Sequence, residues 1–238
     1  MKRRTGIRPR SAEAGPIEPL GPAAAYRLWA PSYAEETAVS ALEDRVVRGL
    51  LPSLTGRRIL DVGCGIGRRL HGAGTSAALA VGLDLVPEML LLGRSEARRM
   101  SAAGDVRALP FADRSFDLLW CRLVLGHVSD LTAAYREMAR VSASPATLIV
   151  SDFHPRAVAA GHRRSFRDRA GQLRAIEHHV HEATEHEEEA ARVGWKPVAI
   201  VDAPAGEDER PFYERAGRLR QFELEKRLPL VLAMSFAR

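Results

Sequence analysis

Short runs of mainly apolar residues recur along this chain, and stretches with helical spacing separate several of these runs. Such runs occur at 59–62, 79–83, 116–121 and 148–150. Short apolar runs are typical of strands that are covered on both faces, because both sets of alternating side chains are then buried. Residues 87–100 and 131–141 have the spacing of amphipathic helices. This alternation predicts an α/β protein with a mainly parallel sheet and helices on both of its faces.

A glycine-rich turn follows the first predicted strand. Residues 61–67 read Asp-Val-Gly-Cys-Gly-Ile-Gly, so glycines occupy alternate positions. Glycine adopts positive φ and lets a ligand approach the backbone closely, which makes this turn a candidate cofactor site. Taken alone, the spacing fits an ordinary strand-to-helix turn equally well.

Acidic residues at the ends of the next two strands favour the cofactor interpretation. Asp84 follows Gly63 by 21 residues and ends the second apolar run, and Asp105 lies at the end of the third predicted strand. In a doubly wound sheet, an acidic residue at the tip of the second strand accepts hydrogen bonds from ribose hydroxyls. The glycine-rich turn and the two carboxylates together therefore predict a nucleoside-type cofactor at one edge of the sheet.

Five segments in this order resemble the class I S-adenosylmethionine-dependent methyltransferases, specifically the small-molecule branch of type 11 and quinone-biosynthesis enzymes. The segments read DVGCGIGR, GLDLVPEML, GDVRALPFADRSFDLLWC, LVLGHVSDL and REMARVS, within residues 22–152. The resemblance implies a doubly wound, Rossmann-like sheet of seven strands. Residues 195–201 and 230–236 would be the last two strands, with the final strand inserted antiparallel beside the sixth. The resemblance also implies methyl transfer from S-adenosylmethionine to a small molecule, with S-adenosylhomocysteine as product.

The resemblance further implies which residues contact the cofactor. The glycine loop would hold the methionine part, Asp84 the ribose and Asp105 the adenine. A ribose diol suits a carboxylate, and a methionine carboxylate suits backbone N–H groups at a helix N-terminus. Each residue alone also has a purely structural alternative, such as capping a turn. The implied cofactor residues are Tyr33, Asp61, Gly63, Cys64, Gly65, Asp84, Leu85, Met89, Asp105, Val106, Cys121 and Arg122.

An aromatic segment precedes the first predicted strand. Residues 31–50 predict one amphipathic helix, with Ser32 as its N-cap and Glu35 completing a capping box. With the residues before it, this helix would form the lid helices of residues 22–50. Tyr26 and Tyr33 either close over the cofactor or pack the helix against the sheet.

Residues 153–181 predict an insertion that covers the substrate, and seven of the eight histidines lie between 127 and 186. A hydroxyl or acidic carbon that accepts a methyl group loses a proton, and histidine suits that role near neutral pH. His154 is the first candidate because it follows Asp152 at the tip of the fifth strand, and packing is the alternative for His127. Many methyltransferases need no base. The candidate catalytic residues are His154, His127, His178 and His181.

The same insertion raises the questions of a metal and of the acceptor's charge. If 174–181 is a strand, Glu177, His179 and His181 share one face, but their close spacing argues against a metal site, and we predict none. The arginines favour an acidic acceptor, such as a carboxylate, a phosphate or a carrier-linked acyl group, with a solvated basic face as the alternative. They lie at positions 156, 163, 164, 167, 169 and 174.

Composition limits the remaining classes. The chain has 238 residues, of which 46% are hydrophobic and 27% charged, as expected for one domain. We predict a flexible basic tail at 1–21, whose first ten residues carry five positive charges and no acid, and one methyltransferase domain at 22–238; the net charge of the whole chain is +5. We expect a cytoplasmic enzyme with no nucleic-acid partner and no transmembrane segment, whose oligomeric state the sequence leaves open. A catalytically inactive cofactor- or partner-binding scaffold is the main alternative, and RNA methylation is a minor one.

Overall fold

The computed structural model describes residues 18–33, 36–73, 76–93 and 100–238. Most of the predicted tail, up to residue 17, lies outside these ranges. The helices are α1 (Pro22–Trp29), α2 (Ala38–Arg48), α3 (Arg68–Ala73), α4 (Pro87–Leu92), α5 (Leu131–Val141), α6 (Pro155–Ala159), α7 (Ala183–Arg192), α8 (Arg210–Arg215) and α9 (Leu219–Glu225). The strands are β1 (Pro19–Leu20), β2 (Arg58–Val62), β3 (Leu79–Asp84), β4 (Ser101–Ala103), β5 (Phe116–Arg122), β6 (Ser142–Phe153), β7 (Ser165–Arg167), β8 (Leu173–Ile176), β9 (Lys196–Pro204) and β10 (Pro229–Ala237).

The central sheet has seven strands in the order β4-β3-β2-β5-β6-β10-β9. Strands β2 to β6 pair in parallel, whereas β10 is antiparallel to both of its neighbours. The strand order reverses beside β2, which is the point where doubly wound sheets bind ligands. The predicted Rossmann-like sheet with an antiparallel last strand is thus confirmed.

Alternating side chains of the central strands divide the core between the two faces of the sheet. Leu60 and Leu119 pack on one face with Tyr135 of α5. Ile59 and Trp120, one residue away along the same strands, pack on the other face with α2, α8 and α9. This period of two, with both faces covered, explains why the strand sequences read as continuous apolar runs.

A second, three-stranded sheet joins the N-terminal segment to the insertion. β1 pairs in parallel with β8, and β8 pairs antiparallel with β7. Ala25 of α1 is buried against Phe166 and Ile176, which lie in β7 and β8. Residues 19–20, which were predicted to belong to the flexible tail, are therefore paired as a strand.

The prediction of a single helix at 31–50 is wrong. α1 ends before a short 3₁₀ turn at Ala30–Ser32, and α2 begins after Thr37. The Ser32 hydroxyl donates to the carbonyl of Trp29, so it caps nothing downstream. Thr37 is the N-cap instead, because its hydroxyl accepts from the Ser40 N–H in a capping box. Glu35 lies outside the described residues.

Two other predicted elements are shorter than expected. α4 ends at Leu92, where Gly93 leaves the helical conformation, and residues 94–99 of the predicted 87–100 helix lie outside the described ranges. β8 ends at Ile176, so residues 177–181 are not a strand and do not alternate between two faces. The proposed shared face of Glu177, His179 and His181 is therefore wrong.

Candidate active site

One cavity of about 1380 Å³ lies at the carboxyl ends of β2, β3 and β5. Its walls come from the glycine loop, from the segment of α1 and α2, and from the insertion. Ten of the implied cofactor residues line it, namely Tyr33, Gly63, Cys64, Gly65, Asp84, Leu85, Met89, Asp105, Val106 and Arg122. The turn and the two acidic strand tips, which are separate in sequence, thus lie around a single space.

The glycine loop has the conformation that its sequence predicts. Gly63 has a φ of 72° and Gly65 a φ of 58°, values that residues with a side chain rarely adopt. The N–H groups of Gly63 and Cys64 both donate to the carbonyl of Leu83, which fixes the turn against β3. A Cβ at Gly63 would lie 2.1 Å from Cγ2 of Val124. Glycine is therefore required there by backbone conformation and by space.

We expect Gly63→Ala to weaken S-adenosylhomocysteine binding about tenfold or more, because the methyl group must displace the loop. Gly56 is the matched control, since it has the same φ of 72° but no atom within 4 Å of an added Cβ. Gly56→Ala should cost about 1 kcal/mol of folding free energy without changing affinity. Titration calorimetry and thermal unfolding separate the two effects, and equal affinity in both variants would contradict the prediction.

Asp84 holds the glycine loop as well as lining the cavity. One carboxylate oxygen accepts from the Gly65 N–H at 2.7 Å, and the other accepts from the Val86 N–H at 2.9 Å. Burial raises the pKa of Asp84, and the two backbone N–H donors oppose this rise. Each oxygen retains a further lone pair for a ligand hydroxyl. The ribose role of Asp84 stays a prediction, but its role in shaping the loop follows from these bonds.

Asp61 is fully buried directly before the loop, and neither of its carboxylate oxygens has a partner among the described residues. Burial raises the pKa of Asp61 to about 6, although Arg69 and Arg122 oppose the rise. An unpartnered buried carboxylate is costly unless a ligand group or water satisfies it. The cationic amino group of S-adenosylmethionine would be such a partner, but Asp61 itself does not line the cavity, so this contact stays a prediction.

Three further implied residues differ in what they can contribute. Val106 is buried in the cavity wall, as an adenine contact requires, but the Asp105 carboxylate already binds the guanidinium of Arg107 at 2.6 Å. Cys121 is a correction to the prediction, because its side chain is fully buried in the core and does not line the cavity. Burial also raises the pKa of the Cys121 thiol well above its usual value, so this group stays protonated.

Arg122 reaches the cavity wall but is held by carboxylates of α2. Its guanidinium donates two hydrogen bonds of 2.7 Å to the fully buried Glu43 and one of 3.0 Å to Asp44. Burial alone would raise the pKa of Glu43, but Arg69 and Arg122 hold it below its usual range. This buried network ties the middle of α2 to β5. The sequence contained no signal for the pairing, because Glu43 and Arg122 are 79 residues apart.

Of the four candidate histidines, only His127 lies in the cavity wall. Its Nδ1 is 3.2 Å from the carbonyl of Glu177, which can only accept, so Nδ1 carries the proton. Its Nε2 therefore accepts from the Tyr26 hydroxyl at 3.1 Å and from Arg164 at 3.2 Å. Burial first and the nearby Arg164 cation second lower the pKa of His127 to about 3. His127 is thus neutral, with its lone pair already in use.

The other three candidates are held away from the cavity, which argues against the predicted catalytic roles. His154 caps α6, with Nδ1 accepting from the Arg156 N–H and Nε2 lying 3.1 Å from Asp202. The Nε2 of His178 lies 3.7 Å from buried Asp152, and that of His181 lies 2.7 Å from the carbonyl of Val128. These histidines were chosen for their sequence positions near a strand tip, but their rings turn towards structural partners.

The cavity instead adjoins a polar cluster whose members the sequence indicated separately but did not bring together. Asp152, at the tip of β6, accepts from the guanidinium of Arg164 and from the N–H of Gly126. Burial would raise the pKa of Asp152, but Arg164 and His178 hold it far below its usual range. Arg164 is itself buried, stacks 4.6 Å from the Phe153 ring centroid and leaves its Nε–H without a partner among the described residues. Tyr26, His127 and Arg164 line the cavity together, and we call them the inner cluster.

α8 and α9 also contribute to the cavity wall, although the prediction assigned the substrate cover to residues 153–181 alone. Phe212, Arg215 and Arg218 line it from this side. No group of three or more His, Cys, Asp or Glu side chains in the described part of the chain could hold a metal ion. None of the described helices has the length and apolar character needed to cross a bilayer.

Comparisons with known proteins agree with this architecture. Residues 60–150 match the family described as Methyltransferase domain. The chain is 41% identical over 113 residues to demethylmenaquinone methyltransferase of Roseiflexus sp. (strain RS-1), covering 44% of this chain and 48% of that protein. It is 31% identical over 134 residues to malonyl-[acyl-carrier protein] O-methyltransferase of Erwinia billingiae (strain Eb661), covering 54% of this chain and 52% of that protein. The chain therefore spans about half the length of these curated relatives.

A solved structure extends the likeness beyond the matched residues. The S-adenosylmethionine-dependent methyltransferase from Mesorhizobium loti superposes with a TM-score of 0.67 at 23% identity, covering 84% of this chain and 100% of that one. At this identity the likeness shows the fold alone. The match at residues 60–150 includes the glycine loop and both acidic strand tips, so this part of the chain is similar to a methyltransferase domain, and the chain as a whole has the fold of that solved structure.

Proposed function

We propose that this chain transfers the methyl group of S-adenosylmethionine to a small-molecule acceptor that is an anion or ionises readily. The observation that carries the proposal is the single cavity shared by the glycine loop, Asp84 and the inner cluster. A cofactor site and a polar acceptor site that open into one space allow direct transfer between their ligands.

The residues around the loop fit the cofactor on grounds of charge and space. Asp61 offers an unpartnered carboxylate to an ammonium group, and Asp84 offers oxygens to a diol. The backbone at Gly65 is open towards the cavity, with Met89 and Tyr33 as the nearest side chains to an added Cβ. When bound, the cofactor supplies an electrophilic methyl group on a sulfonium, and its leaving group is a neutral thioether.

The inner cluster supports an acceptor that needs little help in losing a proton. A general base works best when its pKa lies near the operating pH, and the pKa of His127 is lowered to about 3. Burial keeps the Tyr26 hydroxyl protonated by raising its pKa, and this hydroxyl donates to Nε2 of His127. Arg164 is therefore the group that faces the acceptor, as a cation with an unused Nε–H. A cation with an N–H donor stabilises an oxyanion, which favours carboxylate, phenolate or enolate acceptors.

One kind of relative is consistent with this class of acceptor. The names specify demethylmenaquinone and a malonyl group on acyl-carrier protein, and the free carboxyl of a malonyl group is ionised at neutral pH. Because the chain covers about half of each relative, neither named substrate transfers directly to this protein. The choice between oxygen and carbon as the methylated atom is left to experiment.

Binding of the cofactor is the first test. We expect S-adenosylmethionine to bind the full chain with a dissociation constant in the micromolar range, on the order of ordinary enzyme ligands. Asp84→Ala should weaken binding about tenfold or more, because it removes both a ligand contact and the anchor of the Gly65 N–H. Titration calorimetry gives the affinity, and circular dichroism confirms that the variant is folded. Absence of binding at about 1 mM ligand would reject the proposal.

Transfer is the second test and separates the alternatives. Labelled S-adenosylmethionine should methylate members of a panel of quinols, phenols and dicarboxylate monothioesters. A protein that binds the cofactor but methylates none of them would support the inactive scaffold. Methylation of RNA that survives deletion of residues 1–21 would support the nucleic-acid alternative instead.

A cytoplasmic location also belongs to this proposal. Cys64 and Cys121 are buried free thiols, and free thiols persist in a reducing compartment. Fractionation of cells that express the tagged chain tests the location. Size-exclusion chromatography with light scattering would give the oligomeric state.

A further inference from the structure

The end of the cavity away from the glycine loop carries an excess of positive charge. The loop after α6 forms this end together with α8 and α9, and we call it the outer arm. It is defined by His162, Arg163, Phe212, Arg215, Arg218 and Glu225. Its elements pack on one another, since the Tyr213 hydroxyl of α8 donates to the Glu225 carboxylate of α9.

The carboxylate of the outer arm is already in use. Glu225 is buried and accepts hydrogen bonds from the Tyr213 hydroxyl and from the side-chain amide of Gln221. The Nε2 of His162 lies 3.4 Å from it as well. Glu225 therefore joins the elements of the arm and has little capacity left to neutralise a further cation.

The arginines of the outer arm, by contrast, lack anionic partners. Arg163 and Arg218 make no side-chain hydrogen bond or ion pair with any described residue, and their side chains are exposed at the cavity rim. Arg215 lies over the Phe212 ring, with its guanidinium carbon 4.7 Å from the centroid. Two other arginines of the insertion differ, because Arg164 and Arg174 are paired with Asp152 and Asp168.

We propose that the outer arm binds an anionic group, a carboxylate or a phosphate, at the end of the acceptor remote from the methylated atom. The inference rests on the proposed function, because it assumes that the acceptor occupies the shared cavity. Guanidinium groups bind both anions through paired N–H donors, and three of them around one mouth also attract anions at a distance. Phe212 provides an apolar surface for the part of the acceptor between the two ends.

Inorganic phosphate and glutarate are the probes for this subsite. Titration of the S-adenosylhomocysteine-bound protein, followed by arginine Nε–Hε signals in NMR spectra, should give saturable shifts of Arg163, Arg215 and Arg218. In Arg163→Gln/Arg218→Gln the affinity for at least one probe should fall about tenfold or more, as expected for losing charge-assisted hydrogen bonds. The probe with the larger loss identifies the anion as phosphate or carboxylate.

Arg156→Gln/Arg220→Gln is the matched control, because it removes the same charge at two exposed arginines that do not line the cavity. It should leave both probe affinities within about twofold of the unaltered protein. Equal losses in the two double variants would show a solvated basic face and overturn the inference. Affinity for S-adenosylhomocysteine should be unchanged in both double variants. If the unaltered protein does not bind S-adenosylhomocysteine, that result counts against the proposed function instead.

Discussion

Asp61→Asn is expected to weaken S-adenosylhomocysteine binding about a hundredfold, since a buried charge-assisted hydrogen bond is worth up to about 3 kcal/mol. The Asp61 carboxylate is fully buried and lacks a partner among the described residues, so the ligand's ammonium group would be its counter-charge. An asparagine keeps the shape of the side chain but offers no negative charge. Titration calorimetry at pH 7.5 measures the loss.

The pH dependence of binding is the sharper part of this prediction. Because the pKa of Asp61 is raised to about 6, the carboxyl is mostly protonated at pH 5 in the free protein. Binding the ammonium group requires the ionised form, so affinity should rise about tenfold between pH 5 and pH 7.5. The Asp61→Asn variant should show no such rise. A pH-independent affinity in the unaltered protein would contradict the assignment.

Stability supplies the control for this variant. A carboxyl whose pKa in the folded protein lies above its ordinary value of 3.8 contributes less stability as the pH rises from about 4 through 6. Asp61→Asn should therefore be at least as stable as the unaltered protein at pH 7.5 without ligand. Asp117→Asn is the matched control, because it makes the same chemical change near the amino end of β5, away from the cavity at the carboxyl ends of the strands. This variant should bind S-adenosylhomocysteine with normal affinity.

Asp152→Ala is expected to lower the free energy of unfolding by about 3–5 kcal/mol, because it leaves the buried Arg164 guanidinium without its carboxylate. It also removes the acceptor of the Gly126 N–H. The low pKa of Asp152 means that the ionised carboxylate is stabilising across the neutral range, and this contribution is lost only as the pH falls into the strongly acidic range. Urea unfolding at pH 7.5 measures the difference.

Two further variants show whether the unpaired charge is the cause. Asp113→Ala breaks an ion pair with Arg140 in which the Asp113 side chain is 70% exposed, and it should cost about 0.5 kcal/mol. Asp152→Leu/Arg164→Met removes both buried charges and should recover most of the lost stability. If the double variant is as unstable as Asp152→Ala, lost packing rather than an unpaired guanidinium explains the effect.

The sequence was sufficient for the sheet and the cofactor loop, because both depend on local patterns. Buried parallel strands are apolar on both faces, and Gly63 and Gly65 adopt a backbone conformation that glycine alone tolerates well. Asp84 could be placed for the same reason, since parallel strands end at a common edge. These features need only the order of residues along the chain and the geometry of the sheet.

The acceptor side could not be predicted in the same way, because it depends on the direction in which side chains turn. His154 has the right sequence position, but Asp202 and the Arg156 N–H hold its ring. Tyr26 and Arg164 are 138 residues apart, and both contact Nε2 of His127. The boundary of α2 was missed for a local reason, since Thr37 with Ser40 forms the capping box that the prediction assigned to Ser32 with Glu35.

The small sheet of β1, β8 and β7 has a consequence for attempts to transplant acceptor preference between homologues. β8 forms backbone hydrogen bonds with β1, and Phe166 of β7 packs against α1. A chimera that takes only residues 160–180 from a homologue would place the homologue's β8 beside the original β1. It would also place the homologue's side chain at position 166 beside Ala25. The two segments therefore form one cassette, and grafts should exchange residues 18–33 and 160–180 together.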